Sequence, residues 1–140
     1  MDMRQSAKKG CQMDGSLASH PLERVSAVRS GLPVTMVDDL LNSGALSAPE
    51  LHALVLPRKT LANRRKTGTL NPEQSDRLTR VARIISIARE TFGTPEKAHK
   101  WLRRPSAALE NHPPLRLLDT DEGTRLVETL LGRIGHGIAT

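Results

Sequence analysis

Residues 70–93 read Leu-Asn-Pro-Glu-Gln-Ser-Asp-Arg-Leu-Thr-Arg-Val-Ala-Arg-Ile-Ile-Ser-Ile-Ala-Arg-Glu-Thr-Phe-Gly. Asn71 caps a helix, Pro72 takes the first helical position and Gln74 reaches back to the cap. Leu78, Val81, Ile85, Ala88 and Phe92 recur at three and four residues, so one face is apolar, and Gly93 stops the helix. Ile84 and Ile87 widen the stripe beyond what one neighbour needs, which points to further contacts, a second subunit among them.

Working outward, the same punctuation recurs. Pro21 opens a first helix with Leu22, Val25 and Val28 as its stripe, and Gly31 ends it. Pro33 opens a second, lined by Val34, Val37, Leu40 and Leu41, with Gly44 as the stop. Ser47-Ala-Pro-Glu50 is a capping box for a short third helix with Leu51, Leu54 and Val55 inward. Leu56-Pro57 separates it from a fourth, from Arg58 to about Lys66. Thr94-Pro95-Glu96 starts a sixth, to about Leu102. Residues 103–114 are mostly turn, and Pro114 to Leu118 allows one further turn. Thr120 caps the last helix, with Asp121 and Glu122 in its positive first turn. Its expected buried face is Leu126, Val127, Leu130, Leu131 and Ile134.

Composition agrees with packed helices. Phe92 and Trp101 are the only aromatic residues, and Leu, Ala, Arg and Glu dominate. A β-sandwich or barrel draws on aromatic and β-branched residues instead. The 140 residues suit one domain or two very small ones. No uncharged apolar run is long enough to span a bilayer, and residues 1–18 lack the apolar centre of a secretory signal. They read as a disordered arm of a soluble, cytoplasmic protein. Cys11, the lone cysteine, precludes an internal disulfide.

The net charge of +6 is concentrated: zero over 1–46, +5 over 47–92 and +1 over 93–140. Residues 51–72 contain no acid. A short helix, a tight turn and a basic helix make the layout of a helix-turn-helix, whose second helix enters the major groove. Arg58, Lys59 and Thr60 occupy its N-terminal end, and Asn63 lies one turn beyond Lys59. Arg and Asn match guanine and adenine edges. Arg64, Arg65 and Lys66 sit at the far end, suited to phosphates. The alternative is a solvated cationic helix end that complements the helix dipole.

No catalytic or cofactor motif emerges. The five histidines lie more than ten residues apart, too far for metal-ligand pairs on one helix. Gly132-Arg-Ile-Gly135-His-Gly137 follows a helix rather than a strand, unlike a phosphate-cradling loop. Trp101 reads as a core residue of the sixth helix, packed near Phe92 and Leu130; an exposed anchor is the alternative.

A spaced pattern over about 56–138 carries further information: Leu70 to Leu78, Phe92-Gly93, Ala98 with Trp101-Leu102, Asp119 to Gly123, and Leu131-Gly-Arg-Ile-Gly-His-Gly137. In order and spacing it resembles the C-terminal domain of Xre/MbcA/ParS-type antitoxins, the partners of RES-domain toxins. The resemblance implies a non-catalytic, all-helical inhibitor. Its N-terminal region would bind the operator of its own operon, and its C-terminal domain would bind a cognate toxin that acts on NAD⁺ and obstruct that toxin's pocket. One departure is Glu110-Asn111, where similar proteins often carry two glycines; positive φ is costly for Glu. The stretch before Leu56 carries none of these motifs.

The expected organisation is therefore all-α: an arm over 1–18, a DNA-binding helix-turn-helix region over 19–70 and a toxin-binding bundle over 71–140. A homodimer on a palindromic operator is the expected assembly, and no cofactor is expected. The toxin contact is placed on Arg125, Arg133, His136, Ile138 and Thr140. There Gly135 and Gly137 would loosen the helix end and let the terminal carboxylate leave it at an angle. A frayed end is the plainer alternative. At the level of the whole chain, the alternative is a transcriptional regulator whose C-terminal bundle serves dimerisation or ligand sensing.

Overall fold

Capping side chains mark the helix starts where the sequence places them. The structure, a computed structural model, describes residues 20–137. The expected arm over 1–18 and the tail residues Ile138 and Thr140 lie outside the described residues. In chain order the helices are α1 (Pro21–Ser30), α2 (Thr35–Asn42), α3 (Ala48–Leu54), α4 (Arg58–Thr67), α5 (Pro72–Phe92), α6 (Pro95–Arg103) and α7 (Asp121–Gly135). Two 3-10 turns, Ala107–Leu109 and Pro114–Asp119, separate α6 from α7. Among the described residues there is no strand, only two isolated bridges, Pro33 with Thr69 and Ser106 with His112. The fold is all-α.

The contacts divide the chain into two units, one ending at Ala82 and one beginning at Arg83, with α5 contributing to both. In the first unit, Ser47 and Glu50 close the expected capping box of α3. Asn71 and Gln74 exchange backbone bonds at the start of α5, at 2.7 and 3.0 Å. The core holds Leu32, Met36, Val37, Leu40, Leu46, Leu51, Leu54 and Leu61, with Leu78 and Val81 of α5. The loop after α1 is stitched to the loop after α4. Val34 N–H donates to Gly68 C=O and Leu70 N–H to Leu32 C=O, both at 2.9 Å. Leu32 N–H donates to the buried Ser75 hydroxyl at 2.8 Å. Gly31 borders this seam; a Cβ there would meet the Leu70 carbonyl oxygen, and its φ of 96° also favours glycine.

Two sequence expectations for this unit are corrected. Pro33 does not open α2; the helix begins at Thr35, because Pro33 sits in the bridge to Thr69. The α1 stripe is not buried: Leu22 is 70% and Val25 42% exposed, and Val28 is only half-buried.

In the second unit, Ile84, Ile85 and Ala88 of α5 meet a core of Ala98, Leu102, Leu115, Leu118, Val127, Leu130 and Leu131. The wide α5 stripe is thus largely consumed within the chain. The turn Pro114–Asp119 packs against both α6 and α7. Gly123 makes the α7 approach possible, since a Cβ there would meet the Leu117 carbonyl oxygen and carbon. Thr120 caps α7 by accepting from Gly123 N–H at 2.9 Å.

Three expectations for this unit are also corrected. Trp101 is half-buried rather than a core residue; it packs against Phe92, ring centroids 5.3 Å apart, while Ala98 and Leu102 fill the core from α6. Leu126 is 57% exposed, because the buried face of α7 runs through Gly123, Thr124, Val127, Leu130 and Leu131. Gly135 does not loosen α7, which runs through it; the left-handed residue is Gly137, φ 74°.

Glu110 and Asn111 both adopt left-handed conformations, φ 54° and 66°. Two predictions follow from the backbone. Glu110→Gly removes a left-handed penalty of about 1–2 kcal/mol, partly offset by the greater freedom of unfolded glycine, and raises stability by about 1 kcal/mol in urea titration. Gly123→Ala gains helix propensity but forces α7 off the Leu117 carbonyl, lowering stability by about 1–3 kcal/mol in the same assay.

Candidate functional site

The basic helix α4 is short, and Leu61 is its one buried residue. Burial of Leu61 fixes which way the helix faces. By helical period, Lys59, Asn63 and Lys66, spaced i, i+4, i+7, share the face opposite Leu61. All three are exposed. Arg58 is exposed at the N-terminus, and Thr60 and Arg64 are half-buried on one flank. Pro57 precedes the helix without a side-chain cap, so the N-terminal amides of α4 remain open to an acceptor. Arg58, Lys59, Arg64 and Lys66 form no ion pair among the described residues.

Arg65 differs. Its guanidinium is held by Asp38 of α2 in a two-bond clamp, at 2.9 and 3.1 Å. Asp38 holds the Arg65 pKa above its ordinary value, chiefly through these hydrogen bonds; burial opposes the shift and the Asp38 charge adds to it. The residues 51–72 indeed contain no acid, but an acid 27 residues away faces this helix. Both partners are more than a third exposed, so the pair contributes about 0–1 kcal/mol. Its larger consequence is geometric: it ties the far end of α4 to α2.

Of the residues expected at the C-terminal site, Arg125 and Arg133 lie on α7, His136 caps it, and Ile138 and Thr140 lie outside the described residues. Arg125 is exposed and pairs with Asp121 at 3.1 Å. Arg133 is exposed, with no partner among the described residues. His136 is engaged by its own helix, Nδ1–H donating to Gly132 C=O at 2.7 Å. Arg125 and Arg133 are brought together along one face, whereas His136 acts as a cap. A feature the sequence reading missed is a groove of about 210 Å³ between the turn Ala107–Leu109 and α7, bordered by both arginines. The unexpectedly exposed Leu126 forms one wall.

Four of the five histidines serve local backbone needs, while His99 Nε2 meets the Arg89 guanidinium at 3.2 Å. His20 Nδ1 accepts from Leu22 N–H, while His52, His112 and His136 each bond a nearby carbonyl. Among the described residues no group of three His, Cys, Asp or Glu could hold a metal ion. No helix among them is long and apolar enough to cross a membrane.

Fold and surface together define a helix-turn-helix protein whose chain continues into a helical bundle. Residues 23–83 match the antitoxin Xre-like helix-turn-helix domain, and residues 88–137 match the antitoxin Xre/MbcA/ParS C-terminal toxin-binding domain. Antitoxin Xre of Yersinia enterocolitica is 32% identical over 127 residues, covering 89% of this chain and 86% of the relative. Antitoxin Xre of Pseudomonas putida is 32% identical over 111 residues, covering 79% and 69%. A Prs ADP-ribosylating antitoxin of Sphingobium is 23% identical over 128 residues, covering 84% and 80%. The chain belongs to the Xre antitoxin family. The helix-turn-helix match begins at residue 23, so it takes in α2 and most of α1, which carried no family motif.

With Arg65 held by Asp38, Arg64 and Lys66 are the cations at the far end of α4 left for phosphates. On double-stranded DNA, log K is expected to fall against log salt with a slope of about −1.8 for each α4 helix bound. Asp38→Asn releases Arg65 and steepens the slope by about 0.9 if the freed side chain takes a phosphate. Fluorescence anisotropy over a salt series measures both values.

Proposed function

We propose that this antitoxin neutralises a RES-domain toxin that consumes NAD⁺, by direct binding, and represses its own operon as a cytoplasmic homodimer on operator DNA. The observation that carries the reading is the pairing of the two family domains on one chain, one of the helix-turn-helix class and one named for toxin binding. Support for NAD⁺ comes from the sequence resemblance, and from the Sphingobium relative, named for ADP-ribosylation, a chemistry that draws on NAD⁺.

The roles divide by helix. Lys59, Asn63 and Arg58, with Thr60 beside them, meet base edges from the N-terminal half of α4. Arg64 and Lys66 hold phosphates, and Arg65 joins them only if it leaves Asp38. Toxin binding falls to Arg125, Arg133 and His136 of α7 and to Ile138 and Thr140 beyond it. Functionally, 19–70 serves the operator and 71–140 the toxin. The inhibitor acts by occupying the toxin's pocket, so it needs no reacting group of its own.

Co-expression with the adjacent toxin gene tests the reading. The expected outcome is co-purification, restored growth and a preserved NAD⁺ pool. The same purified chain shifts a DNA fragment carrying its own promoter, and Arg58→Ala or Asn63→Ala relaxes base preference at a cost of about 1–3 kcal/mol. A chain that shifts the promoter but neither binds nor neutralises the toxin would instead be a plain transcriptional regulator.

A further inference from the structure

We propose that the groove between the turn Ala107–Leu109 and α7 is the seat of one apolar side chain of the toxin, with a carboxylate of the same toxin segment placed on Arg133. The assignment rests on the toxin-binding reading and names the surface that does the binding.

Size comes first. The groove holds about 210 Å³. Pockets for drug-sized ligands run about 300–1,000 Å³, so this space suits a single leucine, methionine or phenylalanine side chain. Its floor is apolar, formed by Leu109 and Leu130, both buried. Leu126 stands at its wall, more than half exposed, although Val127, Leu130 and Leu131 beside it on α7 are buried. Leu126 extends the apolar lining of the hollow, and covering it would remove apolar area from water.

Charge sets the chemistry of the occupant. Glu122, Arg125, Leu126, Thr129 and Arg133 fall on one helical stripe by period. Arg125 and Arg133 are eight residues apart, about 12 Å along the axis. Arg125 is already tied to Asp121. Arg133 has no partner among the described residues, and its planar fork matches a carboxylate. Glu122 lies at the opposite end of the groove. The stripe therefore runs from negative to positive, and it favours a segment with its acid on the Arg133 side and none beside Glu122.

A second, independent observation lies in the wall facing α7. Ala108 and Leu109 lead directly into Glu110 and Asn111, two successive non-glycine residues in left-handed conformation. The turn is closed by Asn111 N–H donating to Ser106 C=O at 2.7 Å and by the bridge of Ser106 with His112. Strain of this kind persists where the surroundings hold it, and it gathers at ligand clamps. Here it presents Leu109 to the groove.

The test uses the full chain and the purified product of the adjacent toxin gene. Leu126→Asp is expected to weaken toxin binding by roughly 30-fold or more, the level of a buried hot spot. Thermal stability and DNA binding should be unchanged, because Leu126 is largely exposed. Arg133→Lys keeps the charge but loses the fork, and it should weaken binding less than Arg133→Glu. With the photo-crosslinker p-benzoylphenylalanine in place of Thr129, the label should map to a toxin peptide bearing an apolar residue within a few positions of Asp or Glu. Unchanged affinity for Leu126→Asp, or a crosslink only to a second copy of this chain, overturns the groove assignment while leaving the antitoxin reading intact. Failure of the wild-type chain itself to bind the toxin overturns both.

Discussion

The first unit depends on one seam of backbone. Residues 32–34 and 68–70 exchange two hydrogen bonds, and the Ser75 hydroxyl accepts a third from Leu32. Leu32, Leu70 and Ser75 are each at most 2% exposed, so a donor or acceptor among them that loses its partner stays shielded from water. Each unmatched group would then cost about 1–3 kcal/mol. The seam joins the start of α2, the end of α4 and the first turn of α5 at one place. Gly31 permits it, because the Leu70 carbonyl occupies the space a side chain would need.

From that seam the orientation of α4 follows. Its C-terminal end is fixed by Gly68 and Leu70, its one buried side chain is Leu61, and Arg65 reaches α2 through Asp38. With those three restraints, Lys59, Asn63 and Lys66 can only face outward. With Leu61 its one buried residue, α4 is held by that side chain and by its ends, with a weak addition from one ion pair. Such an arrangement suits a helix whose surface must remain polar and cationic. It also means that Asp38, an acid on another helix, helps to position the cations that DNA would meet.

Local signals in the sequence were enough for most of the fold. Ser47 with Glu50 and Asn71 with Gln74 act over three residues, so their bonds are written in the order of the side chains. Glycine stops at 31, 68 and 93 likewise act on the adjoining turn. Contacts set by tertiary packing were not legible. Asp38 and Arg65 are far apart in the chain, and nothing local pairs them. Pro33 looked like a helix start because the bridge that claims it comes from Thr69. Leu126 and Val127 are adjacent apolar residues, and periodicity alone could not decide that only Val127 would be covered. On α4 the exposure of Lys59, Asn63 and Lys66 was legible from Leu61; on α7 the groove was not, because half of it comes from a turn with no repeating pattern.

The two ends of α7 differ in what they offer a partner. At the C-terminal end, His136 already bonds Gly132 and Gly137 closes the helix, so a new hydrogen bond from His136 Nδ1 must first replace an existing one. Such an exchange is nearly neutral, since a net hydrogen bond is worth only about 0.5–1.5 kcal/mol even when nothing is given up. Further back, Leu126 holds apolar area in water beside an apolar hollow, and covering it is favourable outright. A fully buried leucine gains about 1.5–3 kcal/mol, and Leu126 retains more than half of that area to bury. Arg133, in the last turn and with no partner among the described residues, adds a fork for a carboxylate without breaking a bond described there. Among the described residues, the free energy to be gained by covering α7 therefore lies with Leu126 and Arg133 more than with His136.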